Sequence, residues 1–170
     1  MEQIKILEPI KLDETVVSIL TERIKDEYTA HYYYRNAANW CADANYKKAT
    51  KFFEDEANNE LEHAKKLQDY IVSWNVIPVI PPVDPKMATC KNLVEIINGA
   101  YKLEYNLLVD YNDSSSKLFA SDLTTFDFLQ EFRIIQKQSV AEYSDLLNAL
   151  NLIDVNNKFE ILYFENTYFG

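Results

Sequence analysis

Along four stretches of the chain, apolar residues recur in alternating steps of three and four. That spacing keeps one face of a helix turned towards neighbouring helices. The first stretch, over about 13–41, runs Val17, Leu20, Ile24, Glu27, His31, Tyr34, Ala38, Cys41. The second, about 46–74, carries Phe53, Ala57, Glu60, Ala64, Leu67, Ile71 and Trp74. The third, about 91–119, has Val94, Ile97, Tyr101, Glu104, Leu108, Tyr111, Ser115 and Leu118; the fourth, about 124–150, has Leu129, Phe132, Gln136, Ser139, Tyr143, Leu146 and Leu150. Asp13-Glu14-Thr15 offers a cap for the first helix, and Thr124 or Thr125 one for the fourth. An apolar tail from Phe159 to Phe169 predicts a short fifth helix over about 158–168. Residues 1–12, with Pro9, read as an extended arm before one domain over 13–170.

Between the second and third helices the pattern breaks. Residues 75–90 hold Pro78, Pro81, Pro82 and Pro85, which cannot continue a helix. Extended at about 3.3 Å per residue, ~16 residues reach about 50 Å. A helix of ~29 residues is about 43 Å long. The connection can therefore travel the whole bundle, so that the third helix runs parallel to the second. The expected fold is all-α: a four-helix bundle with a long crossover and a short C-terminal helix.

Each stripe is interrupted near its middle by a polar residue: Glu27, Glu60, Glu104 and Gln136. With tight turns centred on residues 44 and 121, Glu27 lies 17 residues before the first and Glu60 lies 16 after it. Glu104 lies 17 before the second and Gln136 lies 15 after it. Each pair then meets about 24 Å from its turn. With both turns at the same end of the bundle, all four fall in one layer. His63 follows Glu60 at i+3, a spacing that aims an oxygen and an imidazole nitrogen at one point. Three carboxylates in a core could not all stay ionised without a counter-charge. The stripes supply no lysine or arginine at that depth, so a pair of metal ions is the simplest solution. An oxygen-dominated set with one imidazole and no thiolate suits iron or manganese. Tyr34, two turns after Glu27, packs in the core or serves the metal pair, and His31 reads as structural.

Charge and composition narrow the field. The net charge of −10 disfavours nucleic-acid phosphates and favours cations. Two glycines and five prolines suit long helices with few turns. No apolar run approaches the ~18 residues of a membrane span. Cys41 and Cys90 stand in no metal-type spacing, and a reduced, cytoplasmic protein is expected.

At this point the residues match a family. From about residue 15 to 165 the layout resembles ferritin. The strings Glu27…Tyr34…Trp40-Cys41, Glu60-Leu61-Glu62-His63, Phe128-Leu129-Gln130 and Leu162-Tyr163-Phe164 are similar to its bacterial-type non-haem branch. The resemblance implies a ferroxidase centre at Glu27, Glu60, His63, Glu104 and Gln136, with Tyr34 beside it. Glu27, His63 and the shared Glu60 would hold one iron, Glu60 with Glu104 the other, and Gln136 would orient water or oxygen at the second. It further implies oxidation of Fe(II) by dioxygen and storage of Fe(III) mineral in a shell of 24 like subunits.

The departures are specific. Ser139 stands where many bacterial ferritins place a further Glu, which argues against a third iron site built from that helix. Gln136-x-x-Ser139 replaces the second Glu-x-x-His of bacterioferritin, and the methionines are only Met1 and Met87, so no haem is expected. The acidic pair of the animal three-fold channel maps onto Phe126 and Leu129, with Asp122, Asp127 and Glu131 nearby. The last helix, which lines the four-fold channel in ferritins, reads as short. Asp55 and Glu62 stand where mineral-nucleating carboxylates occur, while Asn58 and Asn59 are not acidic. Two other readings stay open: a cage-less di-iron oxidoreductase of peroxidase or oxygenase type, and a non-catalytic helical binding protein.

Overall fold

The computed structural model describes residues 6–84 and 90–169. Five helices carry the chain: α1 (Glu14–Asp43), α2 (Lys47–Ser73), α3 (Leu93–Phe119), α4 (Leu123–Leu150) and α5 (Lys158–Tyr168). Among the described residues there is no strand. No helix is long and apolar enough to cross a membrane.

Short polar side chains set most of the starts. Asp13 accepts from the Thr15 amide, Asn92 from Glu95 and Asn157 from Phe159. The fourth helix departs from expectation: its cap is Asp122, which accepts from both the amide and the hydroxyl of Thr125. Helix α2 has no cap from its own flank. Glu165 of α5 supplies one instead, accepting from the amides of Lys48 at 2.7 Å and Ala49 at 3.0 Å. Past the ends of α1 and α2, Asn45 (φ 63°) and Asn75 (φ 61°) take the left-handed position that glycine usually fills. Asn75 also donates to the Ile10 carbonyl, and the Leu12 amide to Trp74, tying the N-terminal segment to the end of α2.

Cross-helix contacts fix the directions. Tyr28 meets Gln68, His31 the carbonyl of Ala57, and Arg35 lies near Glu54, so α1 and α2 are antiparallel. Arg23 reaches Ser114, Tyr34 meets Glu104, and Tyr33 donates to the Ile96 carbonyl, so α1 and α3 are antiparallel too. Therefore α2 and α3 run parallel, as the crossover demands. Pro85 lies outside the described residues. Parallel α2 and α3 also correct one expectation, because they put the two tight turns at opposite ends of the bundle. Thr125, just after the second turn, touches Tyr70 near the far end of α2. The four polar residues still share a layer for a simpler reason. About 24 Å from either end is close to the middle of helices some 40–45 Å long.

That layer separates two apolar clusters. One gathers Tyr34, Ala38, Cys41, Phe53, Leu93, Ile96, Tyr143 and Leu146, with Phe164 and Phe169 of α5 closing over it. The other gathers Val16, Leu20, Ile24, Leu67, Ile71, Tyr111, Leu118, Leu129 and Phe132. Stripe positions shift by one in places. Val16 rather than Val17 is buried, as are Leu93, Ala100 and Leu107 rather than Val94, Tyr101 and Leu108. A helix of 3.6 residues per turn drifts against a strict seven-residue repeat. Leu129 is fully buried in the second cluster, so it cannot line a channel. Its neighbour Phe126 lies beneath the Arg133 guanidinium, 4.5 Å from ring centroid to carbon. Of the nearby acids, Asp122 is used as the cap and Glu131 pairs with Lys66.

Candidate metal centre

Mid-bundle, Glu27 of α1, Glu60 and His63 of α2 and Glu104 of α3 come together from three helices, and Gln136 is buried at the middle of α4. Glu27 and Glu104 are 0 % exposed, Gln136 1 % and Glu60 3 %. His63 Nδ1 lies 3.0 Å from Glu60 Oε2 and 3.5 Å from Glu27 Oε2. Two tyrosines each occupy one carboxylate oxygen: Tyr34 donates to Glu104 Oε1 and Tyr111 to Glu27 Oε1. The remaining oxygens, Glu27 Oε2 and Glu104 Oε2, have no hydrogen-bond partner among the described residues, nor does Gln136 Oε1. Burying such acceptors unpaired is costly. No lysine or arginine among the described residues pairs with Glu27, Glu60 or Glu104. Arg23, one turn below Glu27, is the nearest guanidinium on that helix. It is spent on Asp26, the Asp110 carbonyl and Ser114, over the Tyr111 ring.

Electrostatics divides the carboxylates. Burial alone would raise Glu27, but the nearby His63 imidazole, the Glu60 carboxyl and the Tyr111 hydroxyl outweigh it and hold this carboxyl below its ordinary range. Glu60 goes the other way, raised well above by burial and by the Glu27 charge, so it is the member of the pair that carries the proton. Burial lifts Glu104 to about 8, against the hydrogen bond from Tyr34. Burial, with the Tyr143 phenol and the carboxylates, pushes Tyr34 well above its usual value, so it stays a donor.

Glu27, Glu60, His63, Glu104 and Tyr34 are thus brought together, Gln136 is buried at mid-helix on α4, and His31 stands apart, its Nδ1 bonding the Ala57 carbonyl at 2.7 Å. Three neighbours escaped the sequence reading. Tyr111 looked like another apolar stripe residue, yet its hydroxyl serves Glu27. Tyr143 stacks on Tyr34 with centroids 6.2 Å apart, and its buried hydroxyl has no hydrogen-bond partner among the described residues. Glu56 lies one turn before Glu60 in an acidic run, Glu54-Asp55-Glu56, where nothing distinguishes one acid from the next. Two sets of potential ligand atoms lie within 4.8 Å of one another: Glu27, Glu60, His63 and Glu56, Glu60, Glu104. The donors are hard oxygens and one imidazole, a set that fits iron or manganese rather than a thiolate-seeking metal.

The chain is 26 % identical over 148 residues to a "probable bacterial non-heme ferritin-like protein" of Haemophilus influenzae, covering 86 % of this chain and 90 % of that one. It is 25 % identical over 142 residues to the bacterial non-heme ferritin of Escherichia coli O6:H1, covering 83 % and 86 %. Among solved structures, the open-pore ferritin of Archaeoglobus fulgidus superposes with a TM-score of 0.87 at 20 % identity, covering 94 % of this chain and 98 % of that chain. The Chlorobium tepidum ferritin gives 0.80 at 23 %, covering 91 % and 94 %. The family model for the ferritin-like domain matches residues 17–153, and the chain belongs to the ferritin family.

Proposed function

We propose that this protein takes up Fe(II), oxidises it with dioxygen at the mid-bundle centre, and stores the product as Fe(III) mineral inside a cytoplasmic shell of 24 identical subunits. Iron is here substrate and cargo. Glu27, His63 and Glu60 would receive one ion, Glu60 and Glu104 the other, with Gln136 Oε1 beside the second. Each ion gives up one electron, and dioxygen accepts them. The chain holds the acceptors in place. Tyr111 and Tyr34 each fix one oxygen of their carboxylate and leave the second for an incoming ion. Glu60 and Glu104, whose carboxyls burial pushes up, release protons as cations arrive. Ser139 on the fourth helix brings no acid, so the centre is read as two ions. Asp55 and Glu62, both exposed, are the carboxylates proposed to seed mineral.

The observation that carries this reading is a pair of buried carboxylate oxygens, Glu27 Oε2 on α1 and Glu104 Oε2 on α3, that like the Gln136 amide oxygen on α4 find no hydrogen-bond partner among the described residues, and no lysine or arginine there pairs with them. It is tested by anaerobic Fe(II) titration, an oxygen pulse, and size-exclusion with light scattering on the same sample. Two tight Fe(II) per chain, fast oxidation lost in Glu60→Ala and His63→Ala, and a 24-fold assembly are expected. A monomer would overturn the storage half. Retained oxidation in both variants would overturn the catalytic half.

A further inference from the structure

The two ligand sets share Glu60 and nothing else, which makes Glu56 stand out. It sits one helical turn before Glu60 on α2, so both side chains leave the same face. Its carboxylate oxygen lies within 4.8 Å of ligand atoms of Glu60 and Glu104. Its protein partner is weak, the Asn59 side-chain amide at 3.2 Å on the exposed side. Among the described residues Glu104, wholly buried, has no partner for Oε2, and the buried hydroxyl of Tyr143 has none either. Three acids this close, one of them with an orphaned oxygen, are stable as anions only around a cation. On α4, Ser139 brings a hydroxyl to the position three residues after Gln136, and no acid.

We propose that Glu56 is a direct ligand of the second cation, completing with Glu60 and Glu104 a three-carboxylate site for an oxygen-seeking divalent ion. This inference rests on the metal-binding reading of the centre. The geometry gives each ion three protein ligands with Glu60 common to both. The first ion takes a carboxylate and an imidazole in addition, and the second takes two carboxylates. The extra acid thus comes from α2 rather than α4. Glu56 is half-buried, so it also places the second ion nearer to solvent between α2 and α4 than Glu60 and Glu104 alone would.

The test is anaerobic Co(II) titration of the full-length protein, read by visible absorption and by calorimetry, with no turnover required. Wild type should bind two tight Co(II) per chain. Glu56→Gln and Glu56→Asp should each weaken one of them by about tenfold or more, leaving the other within about twofold. The Asp variant separates ligation from charge, since it keeps the anion but shortens its reach. Wild-type binding in Glu56→Gln, or wild-type binding restored in Glu56→Asp, would overturn the proposal. Glu60→Ala distinguishes the two levels. If it loses both ions while Glu56→Gln loses none, only the role of Glu56 fails; if it keeps both, the reading of the whole centre fails. Glu56→Gln is expected to fold, because it removes a like charge from the cluster, and a metal-free melting temperature at or above wild type confirms that.

Discussion

The two halves of the centre are built from similar side chains but stand in different protonation states. Around Glu27 and His63, an imidazole and the Tyr111 hydroxyl supply polar hydrogens, and Glu27 stays ionised although no water reaches it. Around Glu104 and Glu56 there is no imidazole in contact, and burial lifts the carboxyls to about 8 and about 7. In the first half only the shared Glu60 must lose a proton to admit a cation. The second must shed protons to take one. The imidazole at i+3 from Glu60 contributes to that asymmetry, with Glu60 and Tyr111.

The largest expected effect tests whether the halves share a keystone. Glu60→Ala should weaken both cations by about a hundredfold, whereas His63→Ala should do so for one. Anaerobic calorimetry with Co(II) reads the difference, and equal losses in both variants would break the comparison. Next comes pH. Glu104 and Glu56 have folded-state values above the ordinary 4.5. As pH rises from about 5 to about 8 the unfolded chain loses these protons first, so the metal-free protein should lose stability over that window, by a few kcal/mol. Chemical unfolding at pH 5, 6.5 and 8 measures it. A saturating divalent cation should flatten the profile, because it binds only the folded state. The smallest effect compares the tyrosines. Tyr111 serves an ionised carboxylate and Tyr34 a largely neutral one, and charge-assisted bonds are the stronger. In the metal-free protein near pH 7, Tyr111→Phe should cost about 1–3 kcal/mol and Tyr34→Phe about 1 kcal/mol less. Thermal melts of the two variants decide it.

The helices, the convergence of Glu27, Glu60, His63 and Glu104, and the burial of Gln136 were legible because a polar residue inside an apolar stripe violates a strong periodic rule. What escaped did not violate it. Tyr111 satisfies the stripe as an aromatic, so its hydroxyl was invisible. Glu56 lies on the flank of α2, where acids are ordinary. The resemblance maps a channel position onto Leu129, although its place in the stripe with Phe132 marks it as core. Arg23 is held by a carbonyl and a serine of α3, partners that only the fold brings within reach. The mistaken placement of both turns at one end came from connection geometry, and the shared layer survived because each polar residue sits at mid-helix.

The Glu165 carboxylate that closes the first turn of α2 comes from a position 116 residues beyond Ala49. While the polypeptide emerges from the ribosome, the helix bearing Glu60 and His63 must hold its opening turn with water alone until the last helix swings in. A chain made in order from the N-terminus thus finishes one of its earliest helices last.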